Sequence, residues 1–505
     1  MSARTNSIKF TMGSPRYYLI FGTEADVDIR LEGVMPFIVS TDAKKTDPAM
    51  RKLIRTHVMI GKNRGRTLPS RTRKPTQLWA KVNRTSTEGS DESADSFTTK
   101  SSLVVPSRVG TDVSFIQFAD TVEPSSIAVI FHFTHIAKKA LFPLEACIHF
   151  DRDGTWVLPL TIDAAYLHSM ILMTGYIDSL IRGQSGTSNQ ETPSSLIKTL
   201  QLLRKRLLLE DEEAMSSYTT ISVVLSLAVY SYLKSEYETA RHHMEGLRKI
   251  VDLRGGLANF KNNVKLLIEM LRWDIGMTLR SGVKPLFFSD ASWEPPIPYP
   301  SRALSSELEF FNTRGSICIP EERFQGVDND LVKAWENTFR FSLLVNLAFE
   351  TAHKIPKEIL LDTMASVMYR LLQMSFETGS VDEAMRLGLL AFSSSIFLQW
   401  QGVKLSYEHL PVTYRACLVN LKLSDGSPPL LLWLLVIGSI AIFGEPDSVW
   451  LKPWLRVNIN LCGVTSWGEM QEILQSFLWI GLVHDKPGKA LFDSTLSLGH
   501  TVNVR

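Results

Sequence analysis

The sequence predicts an all-α protein: a large helical domain of antiparallel helix pairs, preceded by a mostly disordered basic N-terminal segment. Three observations predict it. Beyond about residue 110, apolar residues recur at helical spacing almost throughout. Strand-like alternation is confined to short stretches such as Arg152 to Leu160. Hydrophobic residues make up 45% of the 505 and charged residues 21%, enough for a real core outside the polar first fifth. The expected organisation is a basic segment over 1–84, a Ser/Thr/acidic linker over 85–110, and a helical body over 111–505.

The first eighteen residues lack the apolar run of a secretory signal, so no secretory targeting is expected. Asp47-Pro48, AMRKLIRTHVMI and then Gly61 predict a short amphipathic helix near 48–60. Asp47 caps it, Pro48 suits the first helical position and Gly61 ends it. Met50, Leu53, Ile54, His57 and Val58 share one face, and Arg51, Lys52 and Arg55 the other. After Gly61, KNRGRTLPSRTRKP should be extended. TSTEGSDESADSFTTKSS, Thr85 to Ser102, holds too little apolar surface to offset the entropy of ordering and is expected to be a flexible linker.

In the body the pattern predicts helices over Ile162–Ile181, Leu196–Leu209, Thr220–Leu233 and Glu238–Leu253, with a loop over Gly183–Ser195. Glycines 255 and 256 follow as a C-cap. Further helices are predicted over Leu257–Leu279, Asp330–Ala352, Lys357–Phe376, Val381–Trp400, Tyr414–Leu423 and Trp467–Ile480. Proline-rich breaks at Glu294–Pro300 and around Pro320 divide the body in two. The longest apolar run, Leu430 to Phe443, is shorter than the roughly 18–20 residues a membrane-spanning helix needs, so it predicts a fully buried core helix and no membrane partner.

The segment RKLIRTHVMIGKNRGRTLPSRTRKP, Arg51 to Pro75, carries nine Lys and Arg and no acid in a chain of net charge +2. The nine are Arg51, Lys52, Arg55, Lys62, Arg64, Arg66, Arg71, Arg73 and Lys74. Three readings stay open: a solvated tail, a nuclear-import signal in two clusters read by an import receptor, and contact with DNA phosphates. Import and DNA contact are compatible with one another. Few aromatic anchors accompany the charges, which disfavours a membrane surface.

Motifs for catalysis are missing. GKNRGRT has the wrong order for a phosphate loop, and neither G-x-S-x-G nor H-E-x-x-H occurs. His149, Asp151 and Asp153 in HFDRDG read as a turn, and His242 and His243 point about 100° apart on one helix. Cys147, Cys318, Cys417 and Cys462 lie far apart without C-x-x-C spacing, so free thiols are expected, with no metal and no cofactor. A small-molecule-responsive pocket among the helices is compatible with all of this, but the sequence offers no convergent polar set to locate it.

Several stretches resemble a known family. FIVST followed by DPAMRKLIRTHVM (Phe37 to Met59) resembles a segment near the N-terminus of many filamentous-fungal regulators with an Arg-Ser-His-Val/Ala-Met core. Here Arg55-Thr56-His57-Val58-Met59 stands in that place. ARHHMEGLRKIVDLRGGL (Ala240 to Leu257), LLIEMLRWDIGMTL (Leu266 to Leu279) and SPPLLLWLLVIGSIAIFGEP (Ser427 to Pro446) resemble parts of the fungal-specific transcription factor domain, over roughly residues 115–480. In that family an all-helical domain commonly follows a six-cysteine binuclear zinc cluster. This chain has only four cysteines, all beyond the basic segment, so the cluster is absent.

The resemblance implies a nuclear transcription regulator, not an enzyme. Its helical domain would act in regulation or in contacts with other transcription regulators, and a homodimer is an open option. The basic segment would serve import and non-specific DNA contact. The alternative is a helical scaffold or co-regulator that never touches DNA.

Overall fold

The computed structural model describes residues 7–10, 17–20 and 117–497, apart from 135–140, 151–156, 183–190, 210, 290–295, 312–323, 399, 401–404, 406 and 422–426. Contacts divide the chain into two units, Met1–Leu103 and Val104–Arg505. In the first, β1 (Ser7–Phe10) and β2 (Tyr17–Ile20) pair antiparallel, with Ser7 opposite Ile20 and Phe10 opposite Tyr17. The expected helix at 48–60 and the linker at 85–110 lie outside the described residues.

The second unit is built from helices. α1 (Pro124–His132) starts on a proline, which needs no N–H in the first turn. A 3-10 turn, Pro143–Cys147, leads into β3 (Ile148–His149). α2 (Leu158–Ile162) ends at Asp163, whose carboxylate caps α3 (Ala164–Ile181) by accepting the Tyr166 N–H at 3.1 Å. α4 (Glu191–Leu208) returns along α3, and α5 (Glu212–Met215) is a single capped turn. Ser217 caps α6 (Tyr218–Leu233). Lys234–Glu236 then reverse the chain into α7 (Tyr237–Leu253), with Ser235 at φ 65°. So short a connection forces the two helices antiparallel.

α7 ends where Gly255 and Gly256 take φ of 92° and 85°, a conformation that costs glycine least. Asn263 caps α8 (Val264–Ser281), which α9 (Ser301–Phe310) follows. α10 (Asn329–Thr351) is capped by Asp328 and leads to β4 (Ile355–Pro356), parallel to β3. α11 (Lys357–Gln373), α12 (Val381–Phe397) and α13 (His409–Asn420) continue the body. α14 (Pro428–Ala441), α15 (Ser448–Leu461), α16 (Trp467–Gln475) and α17 (Gly481–Ser497) complete it.

One contiguous core runs from Ile127 to Phe492. α14 is buried all round from Leu431 to Gly438, as expected of a helix apolar on every face. Its Trp433 is fully buried and donates its indole N–H to the Leu478 carbonyl at 2.8 Å, which removes the cost of burying that donor. α12 crosses α14 at Gly388, where a Cβ would come within 2.5 Å of Leu434 Cδ2 and 2.9 Å of the Trp433 ring. Glycine is what lets these helices approach.

The structure corrects several boundaries. Leu158–Ile162 is helical where alternation suggested a strand, because Pro159 cannot donate to a ladder but fits a first helical turn. α4 begins at Glu191, inside the expected loop, because Pro193 is tolerated in the first turn. Leu257–Phe260 is a separate 3-10 turn rather than the start of α8, since the Asn263 side chain caps α8 by accepting the Leu266 N–H. The run from Trp467 breaks after Gln475, and α15 and α17 form despite internal Pro453 and Pro487. The proline-rich breaks do not divide the core: α8 and α11 lie on either side of them and pack together.

Candidate functional site

A cavity of about 730 Å³ lies among α3, α6 and α8 of the second unit. α3 turns Met170, Met173 and Ile177 toward it, residues at i, i+3 and i+7 on one face. α6 supplies Ser222, Ser226 and Val229, again at helical spacing, and α8 supplies Glu269, Arg272 and Gly276. Phe142 and Trp400 also line it. The volume is in the range of drug-sized ligand sites, and most of the lining is aromatic or aliphatic.

Aromatic edges form the inner wall. Phe142 meets Trp400 edge-on with centroids 6.3 Å apart, Trp400 meets Trp273 at 6.2 Å, and Trp273 meets Tyr232 at 5.3 Å. This is the arrangement ring quadrupoles favour, and it makes the wall stiff. Burial pushes the Tyr166 and Tyr232 hydroxyls up to about 12, although Arg280 opposes the shift at Tyr232, so both are neutral at physiological pH.

Arg272 is one of four charged residues that line the cavity and is only 4% exposed. It donates to Glu145 at 2.7 Å and to Glu269 at 3.3 Å, and its guanidinium lies 4.5 Å from the Phe142 ring centroid. Burial alone would favour loss of its proton, but the two carboxylates outweigh that and raise its pKa. Both acids are bonded through Nη1 and neutralise its charge, while the buried Nε has no hydrogen-bond partner among the described residues.

Gly276 is a different kind of signal. It is a buried residue in the interior of α8 at the cavity wall, and a Cβ built there meets nothing within 4 Å. Glycine at such a position costs roughly 0.5–1 kcal/mol against alanine. Here no tight contact explains it, and the open space beside it is the cavity.

A smaller cavity of about 410 Å³ lies at the C-terminal end of α8, beside Gly282, Arg386 and His409. Arg386 is already held by Glu383 at 2.6 and 2.7 Å and donates to the Leu371 carbonyl. Beneath the loop after Gly282, Asp274 is 3% exposed and accepts the Leu286 N–H at 2.8 Å, the Phe287 N–H at 3.1 Å and the Tyr369 hydroxyl at 2.8 Å. Burial raises its pKa to about 6 against these bonds. It is a latch for the loop.

One buried pair has the elements of a nucleophile and base. Ser395 Oγ and His484 Nε2 are 2.9 Å apart. His484 Nδ1 accepts the Ile480 N–H at 3.1 Å, so Nε2 carries the ring proton and donates it. Ser395 in turn donates to the Phe392 carbonyl at 2.6 Å, and burial pushes His484 down to about 3. An imidazole protonated on the nitrogen that faces the hydroxyl cannot accept that hydroxyl's proton.

The nine basic candidates, Arg51, Lys52, Arg55, Lys62, Arg64, Arg66, Arg71, Arg73 and Lys74, lie outside the described residues, as do Asp151, Asp153 and Cys318. His149 is exposed, His242 exposed and His243 half-buried. Cys147 and Cys417 are buried free thiols, and Cys462 is half-buried. Among the described residues, no group of three or more His, Cys, Asp or Glu could hold a metal ion. No described helix is long and apolar enough to cross a membrane.

The cavity residues were missed in the sequence, although LRWDIG carried a trace of them. Arg272 and Asp274 interrupt an otherwise apolar helix, and Gly276 follows within it. The three come to notice only when the neighbouring helices are in place. No protein-family model matches this chain, and neither a curated protein nor a solved structure does.

Proposed function

We propose that this chain is a nuclear, transcription-regulator-like protein whose helical body receives a small, largely apolar molecule. The observation that carries the ligand-receiving part is the cavity of about 730 Å³ beside Gly276. A stiff aromatic wall and an unfilled interior are what a receptor needs. An interior serving only stability would close over such a space, because each unfilled volume forfeits packing contacts. The sequence resemblance and the charge density of Arg51 to Lys74 support the regulatory part. In this reading the basic segment serves nuclear import and contacts DNA phosphates without reading bases.

Replacing Lys62, Arg64, Arg66, Arg71, Arg73 and Lys74 by alanine should abolish nuclear accumulation of the tagged protein. Unchanged localisation would remove the import role. A second reading, a helical scaffold or co-regulator that never touches DNA, is favoured by the apolar surface of α4 and the residue after it. There Ile197, Leu208 and Leu209 are 56%, 71% and 68% exposed. A mobility-shift titration of the full chain over a salt series separates the two. Phosphate contact predicts affinity that falls steeply as salt rises, whereas the scaffold predicts no shift even at low salt.

A further inference from the structure

Resting on the reading of this cavity as a receiving site, we infer that its ligand is a ring-built apolar molecule recognised through its own O–H or N–H donors, such as a phenol or hydroxylated alicycle, and not through an acidic group. The inference comes from where the protons of the polar wall go.

Of the eight hydroxyl-bearing residues that line the cavity, four donate to a backbone carbonyl. Ser222 Oγ donates to the Tyr218 carbonyl at 2.8 Å and Ser226 Oγ to the Ser222 carbonyl at 2.8 Å. Tyr218 Oη donates to the Asn259 carbonyl at 3.0 Å. Thr134 Oγ1 donates to the Ile130 carbonyl at 2.9 Å. A carbonyl can only accept, so in each bond the hydroxyl supplies the proton. What these oxygens offer a ligand is lone pairs. Because Ser222 and Ser226 stand one helical turn apart on α6, their acceptor sites lie in a row along one wall.

The cationic groups that could favour an anion are already engaged. Arg272 Nη1 is held by Glu145 and Glu269, whose two carboxylates neutralise its charge, while its buried Nε has no hydrogen-bond partner among the described residues. Lys265 lies over the Phe150 ring at 5.8 Å, and both it and Lys357 have interactions of their own. Glu269 adds a carboxylate to the same lining. A carboxylate ligand would have to compete with two resident acids for Arg272 and would meet lone pairs along α6. A ligand with two or more hydroxyl donors finds the Ser222 and Ser226 acceptors and the Phe142, Trp400 and Trp273 rings in the lining of one cavity.

The test is calorimetric titration of the full chain with three probes of similar size: bisphenol A, its dimethyl ether, and biphenyl dicarboxylate. The expected result is that bisphenol A binds at least about tenfold more tightly than either of the others, the factor of one well-formed hydrogen bond or more. In a Ser222→Ala/Ser226→Ala variant, a change that helices tolerate well, the advantage over the dimethyl ether should fall to less than about threefold. If the ether or the dicarboxylate binds as tightly as bisphenol A, the donor rule is overturned while the cavity remains a receiving site. The donor rule is also overturned if the double variant keeps the full preference. If none of the three binds, the reading of the cavity itself fails, and the inference with it.

Discussion

Replacing Asp274 tests how the body holds the loop that follows α8. Its carboxylate accepts three bonds, from Leu286, Phe287 and Tyr369. Hydrogen bonds to a charged acceptor contribute roughly 1.5–3 kcal/mol each. Burial outweighs these bonds in the titration and lifts the carboxyl from 3.8 to about 6, which offsets part of their contribution near neutral pH. Asp274→Ala should therefore cost about 2–5 kcal/mol near neutral pH, measured by chaotrope unfolding. The pH dependence has a definite sign. The folded-state value lies above the unfolded one, so the stability linked to the protonated form is complete below 3.8 and is lost as pH rises through about 6. Acidifying from about pH 7 to about pH 5 should thus add about 1 kcal/mol to the wild type relative to Asp274→Asn, which cannot titrate. Parallel stability profiles for the two proteins, or an alanine variant as stable as the wild type, would refute the reasoning.

Other substitutions probe the packing around the site. Gly388→Ala should destabilise by about 1–3 kcal/mol, because its methyl would press on Leu434 and the Trp433 ring where α12 crosses α14; thermal unfolding checks it. Gly276→Ala has the opposite sign: a methyl in open space within a helix should stabilise by about 0.5–1 kcal/mol, and a lower melting temperature would contradict the open space seen there. Glu145→Ala and Arg272→Ala should each cost about 3–5 kcal/mol by leaving a buried charge short of its partner, and the double variant should cost less than their sum. Additive losses in that cycle would show that the pair is not coupled.

Much of the helical body was legible because long amphipathic or wholly apolar runs leave few alternatives. α14 is the clearest case, with an apolar run too short for a membrane and prolines at its start. Tyr237–Leu253 and its double-glycine end are another, since only a left-handed turn explains two glycines after a periodic run. Two misread boundaries involve prolines: Pro159 fell in a stretch read as strand-like and Pro193 in one read as a loop, yet a proline in the first turn suits a helix. The cavity was illegible because it has no motif. Ser222, Ser226, Arg272 and Gly276 come from two helices, and each alone reads as ordinary helix chemistry. Only the fold brings the acceptors and the aromatic rings to one cavity.

The most direct measurement is titration of bisphenol A into the full chain and into a Gly276→Leu variant, whose added side chain projects into the cavity. The account predicts measurable binding heat for the wild type. It predicts that the variant, with an unchanged far-UV spectrum and a melting temperature no lower than the wild type's, loses that heat. Equal binding by both proteins would contradict the claim that this cavity receives the molecule.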